Sequence, residues 1–251
     1  MTMQQTTIPW QITQLGAAQV SCANGEWALT LPAGSAAGYH DAQISDYESR
    51  RDFHNTPPLR LSLAARFAGE LRGTAGFGFW NHAFVPGERG FRLPQALWFF
   101  HSSLPGDIAL AKGLPGHGWK AATFDARNWR FLGLLPLAPL GCLMMRSRRL
   151  YDALWGLGQG ALGVQEALLD AALLREYHRY SIDWRAEGAV FRVDDTEVLR
   201  ADLAPGSRLG FVAWVDNQYV IVKPQGHFGR GTLEVTHSQS LHIRDLRIAR
   251  L

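Results

Sequence analysis

Leu61, Leu63, Ala65 and Phe67 alternate with Arg60, Ser62, Ala64 and Arg66, and this period of two narrows the fold more than any other feature. Side chains of a strand point alternately to its two faces, so the segment reads as a half-buried antiparallel strand. Trp27, Leu29 and Leu31 repeat the pattern, as does the run from Tyr180 to Trp184. Val190 to Val193 and Thr196 to Arg200 flank Asp194 and Asp195, a two-residue hairpin turn. In the last run, Leu241 to Ile248, the alternation slips by one near Arg244 and Asp245, which predicts a bulge. Gln95 to His101 is apolar on both sides and predicts a central strand covered on both faces. Glycines 76 and 78, between Phe77 and Phe79, mark a strand that another group approaches closely. Further strands are expected at 42–47, 119–125 and 209–222. The sum is one all-β sandwich spanning 1–251, with roughly 10–14 short strands.

Residues 131–178 break the alternation. Leu150, Leu154, Leu157, Ala161, Leu168, Ala172 and Leu173 recur at helical spacing, which predicts a helical insertion. Its helix is expected at Val164 to Tyr177, with a second candidate at Arg148 to Leu157. The segment Gly158-Gln-Gly-Ala-Leu-Gly163 matches a dinucleotide fingerprint, but a helix-like stretch precedes it where a strand is required, so it reads as a helix break. Apolar residues 131–145 are followed by Arg146, Arg148 and Arg149. That order suits either a membrane-surface element over 131–149 or a helix packed on the sheet; a wide apolar stripe favours burial.

Composition excludes several classes. The chain is 47% hydrophobic and 19% charged, enough for a sizeable core, and its net charge of +3 lacks the basic stripe of a nucleic-acid binder. Cys22 and Cys142 make neither a metal spacing nor a disulfide framework. The first ten residues have no basic and apolar leader pattern, so a cytoplasmic location is the expectation. No cofactor, no metal site and no loop demanding calcium is visible, and oligomeric state is not legible.

Tyr177 to Val198 carries a resemblance. His178, Tyr180 and Trp184 match a His-x-Tyr-x-x-x-Trp strand, and Phe191, Val193 and Asp194 match the Phe-x-Val-Asp hairpin that follows it, with Asp195 in place of the usual glycine. The segment resembles the concanavalin A-like lectin/glucanase superfamily, in particular the family-16 glycoside hydrolases. The resemblance implies a jelly-roll β-sandwich. Hydrolases of that family carry a Glu-x-Asp-x-(x)-Glu strand upstream, and the strand in that place here, Gln95 to Phe100, has no carboxylate. Retaining hydrolysis needs two carboxyls about 5–5.5 Å apart, so this departure implies loss of glycosidase chemistry.

Parity along 209–222 puts Trp214 and Asp216 on one face, and an aromatic platform beside a carboxylate suits a sugar or another amphiphilic ligand. Asp46, Trp80, Asn81, Gln95, His101 and Asn217 border the same expected pocket on the concave sheet face. His101 and Asp216 are the candidates for proton transfer, His101 because its unperturbed pKa lies near neutrality. The leading expectation is a non-hydrolytic protein that binds a glycan or small amphiphilic molecule. The alternatives are an isomerase, cyclase or lyase of a hydrophobic metabolite on the same scaffold, and a family-16-like hydrolase with displaced carboxylates.

Overall fold

The computed structural model describes residues 10–34, 38–81, 85, 87, 88, 90 and 92–251. Residues 1–9, read above for a leader, lie outside the described set. The chain begins with β1 (Gln11–Leu15), β2 (Gln19–Ala23), β3 (Glu26–Leu31), β4 (Asp41–Ser45), β5 (Leu59–Ala68) and β6 (Thr74–Trp80). Then come β7 (Gln95–Ser102), β8 (Asp107–Ile108) and β9 (Gly118–Asp125). Three helices follow, α1 (Trp129–Leu134), α2 (Ala138–Met144) and α3 (Arg148–Leu162), and then β10 (Gln165–Leu168). The rest is β11 (His178–Arg185), β12 (Gly188–Val193), β13 (Thr196–Ala201), β14 (Gly210–Asp216), β15 (Gln218–Lys223), β16 (His227–Thr232) and β17 (Gln239–Arg250).

Two seven-stranded antiparallel sheets form the sandwich. The first runs β1-β4-β14-β6-β7-β9-β10 and the second β13-β12-β11-β5-β17-β3-β2; β16-β15-β8 makes a small third sheet. Alternation decides what lies between the two large sheets. Phe77, Phe79, Phe99 and Trp119 of the first meet Phe67, Tyr180, Trp184 and Phe191 of the second, with ring centroids 5.2 Å apart for Phe77–Tyr180 and 5.5 Å for Phe99–Phe191. Aromatic pairs at these spacings add to the burial of their area. The Asp194–Asp195 turn has φ of 49° and 65°, both left-handed, as a two-residue turn of this type requires. The Asp194 carboxylate bonds the His178 ring and the Arg179 amide, so the hairpin motif is a structural closure. The bulge is present: the β17–β5 register shifts between Arg244 and Arg247, with Asp245 at φ 53°.

The sequence reading of 131–178 is corrected in two places. Val164 to Tyr177 is not a helix. Its first part is β10, an edge strand that pairs with β9, and Asp170 then caps a single 3₁₀ turn, Ala171–Leu174, by accepting from the Ala172 amide. The edge of β9 offers free backbone groups, and the buried Lys120 ammonium takes Glu166 as its counter-charge at 3.4 Å, so tertiary context overrides helical spacing. The helix is instead the second candidate, lengthened: α3 runs through glycines 156, 158 and 160 and ends at Gly163, whose φ of 61° closes it. The glycine fingerprint therefore lies inside and at the end of a helix rather than after a strand. The expected single strand over 209–222 is likewise two, β14 and β15, parted at Asn217.

Candidate functional site

The register of the first sheet fixes which side chains share its outer face, the face turned away from the second sheet. Trp214 lies opposite Gln43 on one side and Gly76 on the other, Gly76 opposite Phe100, and Phe100 opposite Lys120. In the next row Val212, Gly78, Trp98 and Ala122 are neighbours, and Trp80 sits beyond them. The glycines matter here. A Cβ on Gly78 would collide with the Leu97 carbonyl, and one on Gly76 with the Phe99 carbonyl, and the bare backbone leaves room for the Trp98 Cα and Cβ and the edge of the Trp214 ring beside it. Trp98 and Phe100 stack at 5.0 Å and 19°, and Trp214 lies 5.8 Å from Trp98 and 6.0 Å from Trp80.

This aromatic cluster is covered. Trp98, Phe100 and Trp214 are buried under the loop bearing Leu110 and Ala111 and under Leu162 and Val164 at the end of α3. The Trp155 indole anchors that cover by donating to the Leu110 carbonyl at 2.8 Å. Trp80 is the partly exposed member of the cluster. The strand β7 is central, between β6 and β9, as its composition predicts. Its parity, however, sends Gln95, Leu97 and Phe99 toward the second sheet and presents Ala96, Trp98 and Phe100 outward.

At one end of the same face two carboxyls stand side by side. Asp216 of β14 is directly opposite Asp41 of β4, and both are buried. Asp216 accepts from the Thr74 hydroxyl (2.8 Å), the Thr74 and Gln218 amides (3.1 Å each) and the Tyr39 hydroxyl (3.2 Å). Thr74 in turn accepts from the Trp214 indole at 3.0 Å. Burial pushes Asp216 up to about 6 against those donors. Burial first, and the charge of Asp216 second, hold Asp41 well above the usual carboxylate range, and Asp41 Oδ2 has no hydrogen bond among the described residues. Burial, with the two aspartates, also drives the Tyr39 hydroxyl far above its ordinary value. Both carboxyls are raised because adjacent buried carboxylates cannot both ionise cheaply.

The sequence-derived site residues therefore separate. Trp80, Trp214 and Asp216 do share one face. Gln95 does not: it sits at a strand end with its side chain bonded to Asn81, Asp125 and Ser207. Asn81 completes that tie through the Leu93 carbonyl and the Gln95 amide. Asp46, just past β4, ties the chain to β14 by accepting from the Phe211 amide and holds Asn55 beside it. Asn217 ends β14 by bonding His40, Gly38 and Leu233 backbone groups. His101 follows the inner parity, opposite Ala75 and Trp119, and burial together with His117 pushes it down to about 4, so it is no neutral-pH proton carrier. Asp41 and Tyr39 were not legible as site residues. Asp41, Gln43 and Ser45 alternate with Ala42 and Ile44, which reads from sequence as an ordinary solvent-facing side. Among the described residues no group of three or more His, Cys, Asp or Glu side chains is placed to hold a metal.

A depression of about 1000 Å³ lies on the other sheet. Ser62, Ala64 and Ser181 form its floor, with Arg60, Arg192 and Arg247 around it. Asp183 lies between Arg60 (2.7 Å) and Arg192 (2.8 Å); burial pulls its carboxyl up, but the two guanidinium groups outweigh that and hold it below its ordinary value. Arg247 has no ion-pair partner among the described residues.

No protein-family model matches the chain, and no curated protein matches it in sequence. Its structure is similar to one solved in work on endo-acting O-glycanases that prominent members of the human gut microbiota express to initiate mucin breakdown, with a TM-score of 0.52 and 10% identity over 98% of this chain and 93% of that one. It is also similar to the carbohydrate recognition domain of Emp47p, with a TM-score of 0.50 and 10% identity over 96% of this chain and 88% of that one. Identities this low establish shape and nothing finer: the chain has the concanavalin A-like jelly-roll fold.

Proposed function

We propose that the chain binds a glycan or small amphiphilic ligand without hydrolysing it, at the outer face of the first sheet, with Trp80 as the accessible platform and Trp98 and Trp214 as its backing. The observation that carries the non-hydrolytic half is the Trp98–Phe100 stack. These rings occupy the outward positions of β7, the strand on which the resemblance places acidic residues in hydrolases. Glu166, also on that face, is tied to Lys120. A partly exposed indole backed by other rings gives a flat apolar surface against which a sugar or an amphiphile packs.

The Asp41–Asp216 pair favours a second reading, an acid-catalysed reaction with displaced carboxylates. A carboxyl that keeps its proton at neutral pH can donate it. Its burial argues for a structural role, since general acid catalysis needs the substrate within hydrogen-bond reach.

Titration of tryptophan fluorescence with neutral and acidic oligosaccharides and with short-chain amphiphiles tests the proposal. Saturable binding that Trp80→Ala abolishes and Arg247→Gln leaves intact supports it. Binding lost only in Arg247→Gln moves the ligand to the second sheet. Reducing-end release that Asp41→Asn abolishes supports the enzyme instead.

A further inference from the structure

We infer that the helical segment between β9 and β10 is a membrane-surface element that seats its apolar side in an anionic bilayer. Burial, which the sequence pattern favoured, is not what the structure has: α1 and α2 contain no buried residue. Nine of the fifteen large hydrophobic side chains that stand exposed among the described residues fall between 129 and 157. They include Trp129 (76% exposed), Leu137 (61%), Leu140 (56%), Leu143 (59%) and Leu157 (67%). Apolar exposure concentrated in one segment on this scale is rare on a soluble surface and marks an interaction site.

Charge identifies the occupant. Between 126 and 151 there is no aspartate or glutamate, while Arg127, Arg130, Arg146, Arg148 and Arg149 are present. None of the five has an ion-pair partner among the described residues. Five unneutralised guanidinium groups around leucines and a tryptophan match a layer of acyl chains under anionic headgroups. The acid of α3 in this stretch, Asp152, is paired with Lys112, and a protein partner with an apolar groove would account for the leucines but not for five arginines without ion-pair partners. Trp129 carries the Arg130 guanidinium 5.7 Å from its ring, a pairing of aromatic and cation suited to headgroup depth.

A second element extends the surface. The β15–β16 turn lies against α2, with Gly226 next to Cys142, and Arg146 borders a depression with Lys223, Gln225 and His227. The next residue, Phe228, is 77% exposed. No helix of the described residues is long and apolar enough to cross a membrane, so the element lies on the surface rather than through it.

Flotation of the full chain with vesicles tests this. One set is phosphatidylcholine alone; the other contains about one third phosphatidylglycerol. The expected result is co-flotation with the anionic set, weakened by salt. Leu137→Asp with Leu143→Asp abolishes it, and since both positions are exposed the thermal melt stays unchanged. Arg146→Gln, Arg148→Gln and Arg149→Gln each weaken it about fivefold. Phe228→Ser weakens it from outside the helices. A parent chain that stays with the unbound protein overturns the inference, as do Asp variants that float like the parent. Sedimentation separates the remaining case: a parent dimer that the Leu137→Asp, Leu143→Asp variant dissociates, without flotation, makes this a self-association face and overturns the membrane reading.

Discussion

Replacing Asp41 with asparagine changes how stability depends on pH, and the sign follows from the carboxyl pair. Asp41 and Asp216 face each other across β4 and β14, both buried, and both titrate above their ordinary value of 3.8. A carboxyl whose folded pKa is raised contributes its full stability below the unfolded pKa and loses it as pH rises. For Asp216, at about 6, the loss falls between about pH 4 and 6. Its size is about 3 kcal/mol, from about 2 pH units at 1.36 kcal/mol each. His101 works the other way over the same range. It is pushed down to about 4 by burial and His117, so its contribution is lost as pH falls from about 6.5. The two effects mask one another in acid. Burial also holds the Asp41, Asp46 and Glu166 carboxyls above their ordinary values, so each loses stability as pH rises, and Asp41→Asn removes one of these contributions. One proton corresponds to a loss of about 1.4 kcal/mol per pH unit. Urea unfolding at about pH 6.5, 7.5 and 8.5 measures it. The parent is expected to lose stability across that range, by at most about 1.4 kcal/mol per unit from this one group, and Asp41→Asn to be flatter. A constant offset from the new amide does not alter the comparison, because the readout is slope. Equal slopes refute a raised Asp41 carboxyl.

Trp214→Ala should lower stability by about 3–5 kcal/mol in equilibrium unfolding, because the ring is buried against Trp80, Trp98 and Phe100 and bonds Thr74; an unchanged melt would return Trp214 to the ligand surface. Gly78→Ala should cost at least about 2 kcal/mol, since its Cβ meets the Leu97 carbonyl across the strand, and a neutral result would show that β6 and β7 separate easily.

How much of this was legible varies with the physics involved. Strand parity gave Trp214 and Asp216 a common face, and an apolar run on both sides sent β7 to the sheet centre. Glycine spacing marked close approach, and indeed the collisions a Cβ would make at 76 and 78 are with the backbone of β7. The slip at Arg244 became a bulge because alternation leaves one register per face. Helix placement failed at 164–177, where edge pairing with β9 and the Lys120–Glu166 pair were invisible to local spacing. The exposed side of α1 and α2 failed differently: apolar periodicity reports that a stripe exists, not what covers it. The site was half legible. Asp46, Asn81, Gln95 and Asn217 are polar residues at strand ends, and from sequence such residues look alike whether they meet a ligand or, as here, bond backbone and neighbouring loops. Asp41 escaped because a polar alternation suggests solvent, and only the register reveals a buried carboxyl pair.

In the function proposed above, aromatic rings stand where hydrolytic carboxylates would, and the face binds a ligand without cutting it. Binding and reducing-end release measured on the same oligosaccharide panel, for the parent and Trp80→Ala, test it most directly. The account predicts saturable binding to at least one ligand, lost in Trp80→Ala with the melt retained, and no product above the enzyme-free rate. Product formation by the parent, or binding indifferent to Trp80, contradicts it.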